Sequence, residues 1–326
     1  MNTEIGKYLS LSNNISYSNN GIEKPVTPID GAYGIFAYVY TYPGITPVYD
    51  PHGHLAYGAR LGSFDGRVKF ADFSYQKGIH EWNYNNARVN STLTIKNLVK
   101  GLQFRVVGAV DANFNKEFEQ VKPIALYGVD GSVIGDYSTA SSLTKGEDNS
   151  AFKEFQFLVD YDLKLHNHSF HLLGGYSGQE YRSESIGATV QGLVNKDLPD
   201  FNWASPDNID LNDDVATNKF QSVFGRLNYN YKDKYLFEGN LRYDGSSKLA
   251  PDNRYKLFPS ASAGWRISQE PWFQSNFINE FKLRASYGEL GNADVLGNYN
   301  YIPLLNKNND LLLGMDGGVE QQADYT

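Results

Sequence analysis

The strongest pattern along the chain is a strict alternation of apolar and polar positions. Between Phe155 and Leu165 the odd positions read Phe155, Phe157, Val159, Tyr161, Leu163 and Leu165, and the even ones Gln156, Leu158, Asp160, Asp162 and Lys164. Successive side chains of a β-strand point to opposite faces, so this spacing predicts a strand with one apolar and one charged face, interrupted only by Leu158. The period returns in Tyr235, Phe237, Gly239, Leu241 and Tyr243, with Glu238, Asn240, Arg242 and Asp244 between or beside them. It recurs at Leu102–Val110, Ala261–Ile267 and Phe281–Tyr287, and more weakly at Leu9–Tyr17, Val89–Ile95, Phe170–Tyr176 and Val223–Tyr231. About ten strands of about 10 residues each follow, and no segment keeps a helical period over three turns.

The connections carry a second pattern. Short links join Val89–Ile95 to Leu102–Val110 (Lys96–Gly101), Phe155–Leu165 to Phe170–Tyr176 (His166–Ser169) and Val223–Tyr231 to Tyr235–Tyr243 (Lys232–Lys234). Between these hairpins Asp111–Glu154, Ser177–Phe220 and Asp244–Phe258 are expected to form long loops. Short turn and long loop in alternation is how a membrane barrel is strung, with tight periplasmic turns and extended extracellular loops. A soluble sandwich has no physical reason to keep every long loop at one end, although some do. Aromatic residues gather where strands end. Tyr229, Tyr231, Tyr235, Trp265, Trp272 and Phe273 lie near the short turns, and Tyr176, Tyr181, Tyr243, Tyr255 and Tyr287 near the long loops. Two girdles flanking an apolar band fit anchoring at headgroup level. Ordinary aromatic enrichment of sheets is the alternative, and the loop asymmetry favours the girdles. The expected fold is all-β, an antiparallel up-and-down transmembrane β-barrel with long loops on one side.

Composition narrows the function. Aromatic residues make up 14% of the 326 residues, led by 24 Tyr and 19 Phe beside 31 Gly, which is a β-rich balance. A hydrophobic share of 41% excludes a disordered chain. No apolar run reaches the length of a membrane helix, a test that does not bear on barrels, whose strands hide one polar residue for each apolar one. The net charge of -8 argues against nucleic acid as a partner. Without cysteine there is no disulfide framework and no thiolate metal site. The opening residues, Met1 to Lys7, lack the basic and apolar regions of a signal peptide, so if the body is that of an exported protein the chain is expected to be a fragment or a truncated reading frame.

Several ordered pieces carry a family resemblance: Arg242-Tyr-Asp-Gly-Ser-Ser247, Phe258-Pro-Ser260, Gly264-Trp-Arg-Ile-Ser268, Glu270, and Leu283-Arg-Ala-Ser-Tyr-Gly-Glu-Leu-Gly-Asn292. More loosely, Pro47-Val-Tyr-Asp-Pro-His-Gly53 and Asn86-Ala-Arg-Val-Asn-Ser91 fit the same pattern. The chain resembles the barrel of SusC/RagA-type TonB-dependent outer-membrane transporters over nearly its whole length. That resemblance implies a place in the outer membrane, in contact with its lipid, and import of oligosaccharides or peptides together with a SusD-like lipoprotein. It also implies that the TonB complex drives import through a plug domain. Barrels of that kind close at about 22 strands around a plugged lumen. Residues 1–326 are therefore expected to be one partial barrel of about ten strands, with signal peptide, plug and C-terminal barrel strands absent. The tail from Gly291 is polar and lacks the aromatic-terminated strand that closes such barrels. Two rival readings stand beside this one: a small closed porin-like barrel or surface adhesin, and a soluble carbohydrate-binding or hydrolytic β-protein.

Candidate chemistry is sparse. His166, His168 and His171 have zinc-like spacing, but they fall in a turn without a nearby carboxylate, so solvated histidines are the better reading. Asp207 to Asp214 is dense in oxygen ligands yet lacks the turn glycine and distal glutamate of a calcium loop. Gly174–Gly178 misses the spacing of a nucleophile elbow, and its glycines suit a crowded strand. No catalytic set stands out, and neither enzyme activity, metal nor cofactor is expected. For binding, the resemblance points to the extracellular loops, where aromatic faces with amides and carboxylates suit sugars. On that basis Tyr40, Tyr42, Tyr49, Trp203, Asp207 and Asp210 are the substrate-loop candidates. Glu238, Asn240, Arg242 and Asp244 are expected to face the lumen, as lining of the transport path or as a fixed polar network.

Overall fold

The computed structural model describes residues 1–26, 49–54, 60–61, 64–65, 78–128, 130–136, 141–195, 197–205, 207–293, 295–299, 301–302, 305–308 and 322–325. Its main body is a single sheet of ten antiparallel strands in sequential order. These are β1 (Asn2–Ile5), β2 (Leu9–Pro25), β3 (Gly78–Lys96), β4 (Leu102–Val121), β5 (Ser142–Leu165), β6 (His168–Gln191), β7 (Ile209–Tyr231), β8 (Tyr235–Ser246), β9 (Tyr255–Arg266) and β10 (Lys282–Gly288). Three small two-stranded hairpins lie outside this sheet. Strands β1 and β10 are its two edges.

The pairing register carries the alternation across the whole sheet. Phe104, Val159, Gly174, Gly225, Leu241 and Pro259 lie opposite one another in one row from β4 to β9. The next row of the same face holds Val106, Phe157, Tyr176, Val223, Tyr243 and Leu257. A shift of one residue in any strand would send its apolar set to the other side, so an apolar medium against this face fixes the register. On this face, among the described residues, Phe155, Phe157, Leu172, Val223, Phe237, Leu241 and Leu257 are all exposed. Among the described residues the buried hydrophobic ones are Ile124, Leu143, Leu158, Val190, Leu193 and Ile267, too few for a two-layer core. Among those residues, too, no helix is long and apolar enough to cross a membrane.

The strands run far past the segments that alternation predicts. β5 and β6 each have 24 residues, about 80 Å at about 3.3 Å per residue. The apolar part of β5, Phe155–Leu165, covers about 33 Å along the strand, or about 25 Å in height at a tilt of about 40°, matching the apolar band of a membrane barrel. The remaining Ser142–Glu154 continues about 40 Å further. Much of the expected loops Asp111–Glu154 and Ser177–Phe220 is thus strand, and the connections shrink to residues 122–141 and 192–208. Likewise Asp244 lies within β8, and the next connection is residues 247–254. The reason is physical: above the membrane both faces meet water, so the polarity contrast fades while the ladder continues.

The opposite end is tight. Residues 6–8, 97–101, 166–167 and 232–234 make four of its turns, and residues 267–281 a longer fifth. His168 belongs to β6, which makes the His166 link two residues shorter than expected. Consecutive left-handed residues Lys232 (φ 52°) and Asp233 (φ 55°) turn β7 into β8. The fifth turn is tied down by Glu270, whose carboxylate accepts from the Tyr235 hydroxyl (2.7 Å), Trp265 Nε1 (3.1 Å) and Lys234 Nζ (3.0 Å). These bonds, the Tyr235 hydroxyl first, hold the Glu270 carboxyl below its ordinary pKa.

Candidate functional site

The polar face of β7, β8 and β9 carries two neighbouring hydrogen-bonded clusters. Asn240 accepts a hydrogen bond from Arg226 Nε at 2.7 Å and donates to Glu238 (2.9 Å) and Ser260 (3.3 Å). Arg242 donates to the buried Ser222 hydroxyl at 2.9 Å and pairs with Asp244 at 3.2 Å. The four residues singled out on β8 therefore share one face, as their period of two requires, and divide into two neighbouring hydrogen-bonded pairs. Beneath them lies an apolar patch: Arg242 sits 5.2 Å over the Phe224 ring, and Phe224 and Leu158 pack together over Gly175. This accounts for Leu158, the single break in the alternation of β5, which is 7% exposed.

Further polar pairs lie along β3 to β5. Arg105 pairs with Asp160 (2.9 Å) and Arg88 with Asp111 (2.5 Å), while Asn86 donates to Asp111 and Asn113, and Asn113 to Ser150. Higher on the same face, His80 lies between Glu117 (2.6 Å) and Glu119 (2.9 Å), with its ring against Trp82 and Lys24 over the Trp82 ring. Sequence reasoning misses this cluster, because His80 and Trp82 precede the alternating part of β3. Its available signal is the pairing of basic with acidic residues across β3 and β4.

The loop candidates do not converge. Asp200 caps the short 3₁₀ turn Phe201–Trp203, accepting from the Asn202 N–H. Phe201 packs on Leu143, Val190 and Leu193, which anchors this turn on the apolar side of the wall and leaves Trp203 exposed. Asp207 lies in the same connection, whereas Asp210 is within β7, opposite Thr189. Asp210, Asn212 and Asp214 then alternate on one face with Asp213 on the other, which disperses the acidic run rather than closing it into a cage. Tyr49 is exposed beside the turn in which Asp50 accepts from the backbone N–H groups of His52 and His54. Tyr40 and Tyr42 lie outside the described residues. Tyr181 departs from the expected girdle. It is five residues from Tyr176 in an unbroken ladder, so it projects from the polar face. His168 and His171 likewise project from opposite faces, where they meet Tyr229 and Asp162.

Comparison with known proteins agrees with this architecture. A family model described as TonB dependent receptor-like, beta-barrel, matches residues 8–318. TonB-dependent receptor P26 of Formosa agariphila is 38% identical over 165 residues, covering 49% of this chain and 16% of that protein. TonB-dependent receptor SusC of Bacteroides thetaiotaomicron is 39% identical over 97 residues, 29% of this chain and 10% of SusC. A solved structure of the RagAB peptide importer in its open-open state superposes with a TM-score of 0.80 at 20% identity, covering 100% of this chain and 34% of the other. The chain thus spans only about a third of that neighbour and less of the curated relatives. On the strength of the family match and the shared sheet, the chain belongs to the TonB-dependent receptor-like β-barrel family, of which it forms a ten-stranded stretch of wall.

Proposed function

We propose that this chain is part of the wall of a SusC/RagA-type TonB-dependent importer in the outer membrane of a Gram-negative cell. The observation that carries this reading is the register: one apolar face and one hydrogen-bonded polar face run unbroken across the strands. The apolar face meets hydrocarbon. The polar face, with Glu238, Asn240, Arg242 and Asp244, lines the lumen against the plug of the intact receptor. The tall strand extensions form a vestibule above the membrane, in which Trp203, Asp207 and Asp210, with Tyr40, Tyr42 and Tyr49, contribute to substrate capture. The substrate is an oligosaccharide or a peptide, delivered with a SusD-like lipoprotein and moved by force from the TonB complex. Support for the peptide alternative comes from the likeness to a solved peptide importer, and for the glycan alternative from the likeness to SusC.

The test is a deletion of the gene, followed by uptake measurements on defined oligosaccharide and peptide pools. Loss of uptake of one pool, restored by the gene and abolished by a protonophore, is the expected result. Unchanged uptake of both pools, or recovery of the protein from the soluble fraction, overturns the proposal.

A further inference from the structure

The apolar face contains a trough at its boundary with the strand extensions. The row beyond Val106, Phe157 and Tyr176 reads Gly108, Phe155, Gly178, Gln221, Gly245 and Tyr255 from β4 to β9, so glycine alternates with a larger residue. A Cβ added at Gly108 would meet nothing within 4 Å, and at Gly178 only the Tyr176 side chain. The floor is therefore open backbone at Gly108, while the Tyr255 ring lies on Gly245, and with Phe155 and Tyr176 as walls the trough has a volume of about 610 Å³.

One row further from the short turns, polarity changes abruptly. Lys153, Glu180 and Lys219 lie opposite one another on β5, β6 and β7. Both ammonium groups share the one carboxylate, Lys219 at 2.9 Å and Lys153 at 4.0 Å, so the row keeps a net positive charge. Arg254 also lines the trough. Its Nη2 reaches the Tyr301 hydroxyl at 3.5 Å, while its Nε is buried without a hydrogen-bond partner among the described residues. With Glu154 also in the lining, three cations face two carboxylates, a net positive site on a chain of net charge -8.

We infer that the trough is a specific lipid site, taking one phosphate-bearing lipid of the leaflet on the long-connection side, with an acyl chain over Gly108 between the aromatic walls and its phosphate against Lys153, Lys219 and Arg254. Charge complementarity selects the occupant. A fully apolar ligand leaves the cations unmet, and a zwitterionic head brings its own positive charge to them. Ammonium groups bind phosphate as point charges and need no fixed fork. The inference rests on the membrane-spanning reading given above.

The experiment is native mass spectrometry of the receptor, extracted in mild detergent from its outer membrane and supplied with phosphatidic acid or phosphatidylethanolamine. The wild type is expected to prefer phosphatidic acid. Lys153→Gln/Lys219→Gln together weaken that binding about tenfold, equivalent to about 1.4 kcal/mol. Glu180→Gln removes the competing carboxylate and strengthens it, a gain that a misfolded protein does not show. Gly108→Leu fills the trough and lowers retention of both lipids. Equal binding of the two lipids by the wild type, or unchanged binding after loss of both lysines, overturns the site while the membrane reading stands. A wild type that does not fractionate with the outer membrane overturns both.

Discussion

Gly175 offers a sharp test of the polar face, because its side-chain position is already occupied. A Cβ there would lie 2.6 Å from Phe224 Cζ and 2.8 Å from Leu158 Cδ2, where ordinary contact begins near 3.4 Å. In Gly175→Ala the Phe224 ring must retreat by nearly an ångström. It is not free to do so, since Arg242 rests 5.2 Å above it and is itself held by Ser222 and Asp244. Overpacking of this kind costs about 1–3 kcal/mol. The assay is urea unfolding of the receptor barrel in detergent, read as loss of the compact, heat-modifiable gel band, with the slope required to stay constant. Gly174→Ala is the internal control: it projects from the apolar face, its Cβ meets nothing within 4 Å, and it shifts stability by less than about 0.5 kcal/mol. Adding Phe224→Leu to Gly175→Ala should recover about 1 kcal/mol relative to the sum of the single changes, since the two sites touch. Equal effects of alanine at 174 and 175, or simple additivity of 175 with 224, would falsify the packing described for this face.

Other outcomes follow from the same geometry. Leu241→Arg places a charge in the apolar row and should cost about 2–4 kcal/mol, whereas Leu173→Arg, opposite Asp160 on the polar face, should leave insertion and band-shift behaviour intact. For Glu270 the folded pKa lies below 4.5, with the Tyr235 hydrogen bond the largest cause. Its contribution is therefore complete above that value and lost as pH falls through the lower folded one. Thermal unfolding of the wild type should drop as the medium is acidified below pH 4.5, while Glu270→Gln shows a lower midpoint near neutrality and a flatter profile. Gly101→Ala combines a positive φ of 82° with a collision against the Asp162 carbonyl, and should cost at least about 1–3 kcal/mol in the same urea assay.

Alternation revealed the membrane-level part of the wall because hydrocarbon on one side and water on the other force a period of two. Phe155–Leu165 and Tyr235–Tyr243 show it plainly, and both fall inside β5 and β8. The extensions hide because nothing forces the contrast there. On β4 beyond Asp111 the apolar face goes on as Ala112, Phe114, Lys116 and Phe118, where the small Ala112 and the charged Lys116 break the apolar run. Aromatic clustering misleads where spacing is ignored, as the odd separation of Tyr181 from Tyr176 shows. The polar face of β8 was legible residue by residue, since face membership follows from parity alone. Its neighbours, such as Arg226 and Ser222 at Asn240 and Arg242, depend on how far each strand slides against the next, which local spacing does not encode.

The margins of the sheet bear on how such a protein is built. In oil, every orphan amide and carbonyl costs several kcal/mol, and among the described residues Asn2–Ile5 and Lys282–Gly288 are each paired on one side. Strands threaded into the bilayer one at a time would carry that penalty at every step. A strand of such a wall therefore gains by pairing with its neighbour before it leaves water.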